Sequence, residues 1–134
     1  MTLVDTNVLL DILSNDPTWC YWSAETLGLQ SSQGPLFITD TVYAELSVRF
    51  SEEEHVDSMI ANLDLVLQRI PKKALFVAGR AFERYRRAGG SRSNVLADFF
   101  IGAHAQVEGL PILTRDTRRY RTYFPDVELI APEI

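Results

Sequence analysis

Residues 2–11, with the sequence TLVDTNVLLD, decide the fold of this chain. The apolar pair Leu3-Val4 is short and bounded by polar residues, which predicts a buried strand. Apolar residues between Val8 and Leu13 then recur with helical spacing, so a helix follows at once. Asp5 stands where the strand ends and the helix begins, which is the place where ligands bind in open α/β sheets.

The rest of the chain alternates in the same way between short apolar strands and longer helical patterns. Further strands are predicted at residues 35–39, 65–67, 111–114 and 127–130. Helices are predicted from near Pro17 to Leu29, over 40–50, from 51, over 72–88, over 94–109 and from 117. This alternation predicts an α/β fold with a central, mainly parallel sheet of four to five short strands. A chain of 134 residues suits one domain, spanning residues 1–134.

Four local signals define the ends of these helices. Asp40-Thr41 predicts a capped helix start, and Ser51 with Glu54 fits a capping box. The run from Gly89 to Ser93 predicts a flexible loop, and Gly109 predicts the end of the helix that begins at Asn94.

The composition favours a globular protein of a reducing compartment. Apolar residues make up 46% and charged residues 23% of the chain, and the one cysteine, Cys20, cannot form an internal disulfide. No signal peptide and no apolar run of membrane-spanning length is found in the sequence. We therefore expect a cytoplasmic protein without a membrane partner.

Charge is unevenly distributed along the chain. The net charge of −5 argues against a protein that holds nucleic acid by bulk electrostatics. Residues 1–70 carry eleven acids and two bases, whereas residues 71–134 carry seven acids and eleven bases. An acidic half that holds cations beside a basic half that holds phosphates is typical of a metal-dependent enzyme acting on a polyanion. Charge alone leaves open a chance asymmetry on solvated faces.

Four carboxylates stand out by their position. Asp5 and Asp116 each follow an apolar strand, Glu45 lies early in the helix after the second strand, and Asp98 lies within an apolar helix. In a parallel sheet these four acids meet over one edge. Helix capping remains an alternative for Asp5 and Asp116. Asp11 lies further along the first helix and is predicted to be a surface acid.

Clustered carboxylates repel one another, by roughly 4 kcal/mol for two charges about 4 Å apart at an intermediate dielectric. Divalent cations relieve this repulsion, and oxygen ligands select hard ions such as Mg²⁺, with Mn²⁺ as a substitute. Such a cation can activate a water molecule to attack a phosphodiester. The acids therefore favour a metal-dependent phosphodiesterase.

At four places the sequence resembles the PIN-domain ribonuclease family, and within it the VapC-type toxins of type II toxin–antitoxin pairs. The resemblance is carried by four motifs in the family's order: 4–10 (VDTNVLL), 43–46 (YAEL), 97–103 (ADFFIGA) and 113–116 (LTRD). It implies a three-layer α/β/α fold and identifies the metal-binding and catalytic acids as Asp5, Glu45, Asp98 and Asp116. It also implies supporting roles for Thr6, Asn7 and Thr114.

The same resemblance implies Mg²⁺-dependent cleavage of RNA, a homodimer, and inhibition by a cognate antitoxin protein. Arginines of the basic half are candidates for contacts with the RNA backbone, although a solvated face explains each of them equally well. These residues are Arg84, Arg86, Arg87, Arg92, Arg115, Arg118 and Arg119.

Three other functions compete with a toxin. A haloacid dehalogenase-like phosphatase also begins with a strand-end aspartate, but its chemistry needs a second aspartate two residues on, where this chain has Asn7. A non-enzymatic acidic binding module would not need Asp98 inside an apolar helix. A housekeeping RNA-processing nuclease of the same family remains open, and an adjoining antitoxin gene would distinguish the toxin from it.

Overall fold

One sheet, in which every described strand runs parallel to its neighbours, forms the centre of the molecule. The computed structural model describes residues 1–92 and 95–133. Within them the strands are β1 Thr2–Val4, β2 Leu36–Thr39, β3 Leu65–Gln68, β4 Ile112–Leu113 and β5 Leu129–Ile130. Their order across the sheet is β3-β2-β1-β4-β5. The predicted α/β class and the predicted number of strands are confirmed.

Seven helices of the described residues connect and cover these strands. They are α1 Thr6–Leu13, α2 Cys20–Gln33, α3 Asp40–Ser47, α4 Glu53–Asn62, α5 Lys72–Arg87, α6 Leu96–Glu108 and α7 Arg118–Tyr123. Helix α1 packs on α2, while α5 packs on α6, which also contacts α7. Across residues 1–92 and 95–133, none of the helices has both the length and the apolar character needed to cross a membrane.

The strand order creates a switch point between β1 and β4. From β1 the chain proceeds to β2 and β3 on one side, and it returns to place β4 and β5 on the other. Asp5 extends the pairing beyond β1, since its backbone N–H donates to the Leu113 carbonyl at 2.9 Å. Ligands of open α/β sheets bind outside the carboxyl ends of strands at such a point. Asp5 and the residues after Leu113 therefore flank that crevice.

Two predicted helix starts are wrong. Helix α4 begins at Glu53 with Glu52 as its N-cap and without a side-chain cap, so Ser51 and Glu54 form no capping box. The backbone of Glu52 is extended, which moves the helix start one residue past the one predicted. Helix α3 begins at Asp40 itself, after Thr39, and it ends at Ser47 rather than at residue 50.

Helix α2 also begins later than predicted, at Cys20 rather than near Pro17. The Asp16 carboxylate accepts hydrogen bonds from the backbone N–H groups of Thr18 and Trp19, at 2.9 and 2.8 Å. This side-chain turn holds the intervening residues outside the helix. At the other end of the chain, the prediction that Gly109 closes α6 is confirmed by its left-handed backbone, with φ 66°. The predicted helix start at Asn94 and loop end at Ser93 lie outside the described residues.

Candidate functional site

Asp5 is the most enclosed of the predicted acids, with 4% of its surface exposed. Its Oδ1 accepts from the Thr6 backbone N–H at 2.7 Å. Its Oδ2 accepts from the hydroxyls of Thr114 and Tyr120, each at 2.8 Å, and from the Asn7 amide at 3.3 Å. Asp5 thus caps α1 and at the same time joins the segment after β4, so the capping role and a place in the acid cluster coexist.

The polar residues of the first turn of α1 connect the acids to one another. The Thr6 hydroxyl donates to Glu45 Oε1 at 2.7 Å, which ties α3 to the end of β1. The Asn7 amide nitrogen donates to Thr114 Oγ1 at 3.2 Å, and its oxygen accepts from the Arg115 backbone N–H at 3.3 Å. These three supporting residues, predicted by resemblance, all contact an acid or the loop that carries one.

Asp98 lies in the first turn of α6, where Arg119 Nη1 donates to its Oδ2 at 3.3 Å. Burial raises the pKa of Asp98 to about 7, and the negative charges of Asp5, Asp116 and Glu45 contribute, against the lowering effect of Arg119. Asp98 therefore lies close enough to the other three carboxyl groups for their charges to raise its pKa. The structure therefore brings the four predicted acids together.

Asp116 is an accessible carboxylate of the cluster, with 48% of its side chain exposed. Helix α7 has Thr117 as its N-cap and no side-chain cap, so the alternative of helix capping is excluded for Asp116. The nearest cation is Arg118, whose Nε lies 3.8 Å from Asp116 Oδ1. The Asp116 backbone N–H donates to Thr114 Oγ1 at 3.1 Å, which fixes the acid beside Asp5.

Tyr120 is a residue of this site that sequence analysis missed. Its ring is 1% exposed, and its hydroxyl donates to Asp5. Burial raises the pKa of Tyr120 well above its usual value, and the charges of Asp5 and Asp98 act in the same direction, so the hydroxyl keeps its proton and remains a donor. No local signal in the sequence marks Tyr120, because its contact with Asp5 joins residues 115 positions apart.

One prediction fails at the outer end of α1. Asp11 is not a surface acid but is 2% exposed, and its two oxygens bind Arg115 Nε and Nη2 at 2.7 and 3.1 Å. The Ser23 hydroxyl adds a third bond at 2.9 Å, and the Arg115 guanidinium carbon lies 5.6 Å from the centroid of a Trp19 ring. Arg115 thus has a structural contact with Asp11 while 30% of its side chain is exposed, and its contact with RNA stays a prediction. The helical repeat places Asp11 above Asn7, facing the loop after β4.

The other predicted arginines divide into two groups. Arg118 and Arg119 contact the acids Asp116 and Asp98, as described above. The second group lies at the exposed end of α5 and in the loop beyond it, and no ion pair within the described residues joins it to the four acids. This group consists of Arg84, Arg86, Arg87 and Arg92.

The sequence profile of the PIN domain matches residues 2–125 of this chain. The chain belongs to the PIN domain family. PIN domains are nucleases, and the parallel sheet with its covering helices is the PIN fold. A search of curated proteins gives no match to this PIN domain.

Solved structures similar to this PIN domain include VapBC2 from Rickettsia felis bound to a DNA fragment from the promoter, with a TM-score of 0.73, 20% identity and 98% of each chain covered. VapBC-1 from nontypeable Haemophilus influenzae matches with a TM-score of 0.72 and 17% identity, over 97% of this chain and 96% of that chain. A toxin–antitoxin complex from Klebsiella pneumoniae matches with a TM-score of 0.66 and 20% identity, over 90% of each chain.

The donor chemistry of this PIN domain fits a hard divalent cation. All four acids offer oxygen ligands, and their mutual repulsion falls when a cation enters. Within residues 1–92 and 95–133, no group of three or more acidic, His or Cys side chains is already arranged to hold an ion. The reason is visible at Asp5 and Asp98, whose oxygens face protein donors.

Proposed function

We propose that this protein is a Mg²⁺-dependent endoribonuclease, with Mn²⁺ as a substitute ion, in which residues 1–134 form a single PIN domain. The observation that carries the proposal is the gathering of four acids at the carboxyl edge of the sheet, where burial and then the charges of the other three raise the pKa of Asp98 to about 7. An acidic module that only binds a basic partner has no need of a carboxylate with so unfavourable a charge. Structural ion-pair networks do perturb pKa values, but here the like charges outnumber the cation.

In this proposal Asp5, Glu45, Asp98 and Asp116 are the metal-binding and catalytic acids. A bound Mg²⁺ supplies an activated water and stabilises the charge that develops on the phosphate. The remaining polar residues hold the acids in place, since Thr6 binds Glu45 and Thr114 binds Asp5. Tyr120 and Asn7 complete the set of donors around Asp5.

The test is cleavage of a labelled single-stranded RNA by the purified protein. We expect cleavage in Mg²⁺ or Mn²⁺, none in EDTA, and none of a DNA strand of the same sequence. Asp98→Asn should reduce the rate at least about 100-fold, the order of effect seen when an electrostatic catalytic group is removed. The matched control is Asp126→Asn, an exposed acid outside the cluster, which should keep wild-type activity. Cleavage that survives in EDTA or in Asp98→Asn would contradict the metal site.

We further propose that the protein is the toxin of a type II toxin–antitoxin pair in the cytoplasm, inhibited by a cognate antitoxin protein. The support is the likeness of its fold to the VapBC structures and to the toxin–antitoxin complex. Induced expression should arrest growth, and co-expression of a small protein from an adjoining gene should relieve the arrest. Cleavage of RNA without growth arrest would instead identify a housekeeping nuclease.

We also propose a homodimer. Several large apolar side chains stay in contact with solvent in the single chain, among them Phe76 at 70% and Leu75 at 45% exposure on α5, and an interface would cover such groups. The mass in solution, measured by light scattering across a range of concentrations, tests this. A monomer at every concentration would contradict it.

A further inference from the structure

A cleft of about 220 Å³ adjoins the acidic cluster but is separate from it. Its walls come from the end of α5 and from α7, and they consist of Tyr85, Arg118, Arg119, Thr122 and Tyr123. Two of these residues connect it to the acids, because Arg119 contacts Asp98 and Arg118 lies beside Asp116. The cleft therefore lies directly beside the acidic cluster.

The charge of the cleft is opposite to that of the acid cluster. It carries two guanidinium groups, and none of the residues that line it is acidic. Arg118 has 82% of its side chain exposed and is free to reach a ligand. Among the described residues, the buried Nε of Arg119 finds no acceptor, and a buried donor without an acceptor favours a ligand that supplies one. Both groups suit a phosphate.

The other walls of the cleft are aromatic and firmly packed. The rings of Tyr85 and Tyr123 meet edge to face with their centroids 6.1 Å apart, and Tyr123 packs against Phe99 at 5.2 Å. Tyr85 is also fixed from the loop beyond α5. A Cβ on Gly90 would lie only 2.5 Å from its ring, and the Arg92 backbone N–H donates to its hydroxyl at 3.2 Å. Rigid aromatic walls provide surface for a base at little cost in conformational entropy.

We propose that this cleft is a subsite for one nucleotide of single-stranded RNA next to the bond that is cut, an inference that rests on the proposed function. Arg118 and Arg119 bind the phosphate of that nucleotide, and Tyr85 with Tyr123 contacts its base. Guanidinium groups beside aromatic rings are the usual means of holding single-stranded RNA, because phosphate and base are then bound together.

The test measures binding rather than cleavage, by fluorescence anisotropy of a labelled RNA in EDTA. The RNA has about ten nucleotides, within the usual site size of one binding domain. A series of strands, each with one abasic nucleotide, identifies the position whose base matters. We expect one abasic position to weaken binding to the wild-type protein about 5- to 150-fold, the equivalent of one stacked base.

Two variants connect that position to the cleft. Tyr123→Leu should weaken binding of the intact strand by the same factor and should bind the critical abasic strand no more weakly than the intact one. Arg118→Gln should weaken intact and abasic strands alike and lower the salt slope by about 0.7, the value for one phosphate of a single strand. The matched controls are Tyr21→Leu and Arg121→Gln, an exposed tyrosine and an exposed arginine outside the cleft. Both controls should bind as wild type.

Several outcomes would overturn the subsite. One is an absence of any critical abasic position in the wild-type protein, which is independent of the folding of a variant. Another is weaker RNA binding by Arg118→Gln together with unchanged RNA binding by Tyr123→Leu. The cleft would then bind a phosphate but no base. A third is equal displacement of the RNA by an acidic peptide, which would identify a protein partner. Failure of the proposed function is distinguishable, since cleavage would then be absent while the abasic coupling to Tyr123 persists.

Discussion

Two carboxylate–arginine pairs join the segment after β4 to the helices, and they differ in nearly every physical respect. In the first, both oxygens of Asp11 bind Arg115, and only 3% of the acid side chain is exposed. In the second, Asp98 has one contact with Arg119, at 3.3 Å, and 33% of its side chain is exposed. Sequence analysis treated both arginines alike, as candidate contacts for RNA.

The difference between the pairs lies in the charges around them. Asp11 has one cation and one further donor, Ser23, and its charge is balanced. Asp98 has one cation but three neighbouring acids, and its pKa rises to about 7. A buried ion pair with balanced charge stabilises the fold, whereas a carboxylate surrounded by excess negative charge favours the binding of a further cation. The contrast separates an arginine of a balanced pair, Arg115, from one beside the acidic cluster, Arg119, within a few residues of sequence.

The largest effect is expected from breaking the balanced pair. Arg115→Gln should lower the free energy of unfolding by about 3–5 kcal/mol, because it leaves Asp11 buried without its cation. Urea unfolding near pH 7 measures this. The control is Arg87→Gln, which breaks the exposed pair with Glu83 and should cost under about 1 kcal/mol. Equal losses in the two variants would show that the Asp11 pair is no more structural than a surface pair.

A smaller effect, of opposite sign, is expected at the unbalanced carboxylate. The pKa of Asp98 rises from 3.8 to about 7 on folding, so its contribution to stability is present below pH 3.8 and is lost as pH rises to about 7. In EDTA, the free energy of unfolding of Asp98→Asn should therefore be higher than that of wild type by about 1–2 kcal/mol near pH 8, after allowance for solvent screening. Near pH 5 the difference should be small. Urea unfolding of the variant and of wild type at the two pH values measures this difference, with Asp126→Asn as control. A difference in stability that does not change with pH would show that the titration of Asp98 is not its cause.

The smallest change in stability is expected from breaking the second pair. Arg119→Gln should alter the free energy of unfolding by under about 1 kcal/mol, because Asp98 can take up a proton in place of its cation. Since Arg119 lowers the pKa of Asp98, the variant should titrate this carboxyl above pH 7. Carbon-13 NMR of the side-chain carboxyl in EDTA measures the midpoint. An unchanged midpoint would mean that the contact with Arg119 does not affect the pKa of Asp98.

The positions of three acids were predictable because each is marked by its own neighbours, whereas Glu45 was identified by its place early in a helix and by the motif at 43–46 that resembles the PIN family. Asp5 and Asp116 follow apolar strands, and Asp98 interrupts an apolar helix, so the parallel sheet needed only to bring them to one edge. The α/β class and the strand number came from the same local alternation. Properties encoded within about ten residues of sequence are those that can be read without coordinates.

What could not be predicted depends on contacts between distant segments or on single side chains at helix ends. The burial of Asp11 requires knowing which face of α1 meets the loop after β4. The role of Tyr120 requires the pairing of β1 with β4, which spans most of the chain. The late start of α2 follows a turn at residues 16–19, in which the Asp16 carboxylate binds the backbone N–H groups of Thr18 and Trp19.

The hydrogen bonds of Asp5 also have a consequence for the chain during its synthesis. Thr114 and Tyr120, which hold its carboxylate, lie 109 and 115 residues further along. A ribosome therefore adds them long after Asp5, when β1 has already left the exit tunnel. Until then the aspartate at the front of the chain has neither of these partners, nor the Asp116 carboxylate that lies between them. The surroundings of Asp5 described above therefore form only after the segment that follows β4 has been made and has paired with β1.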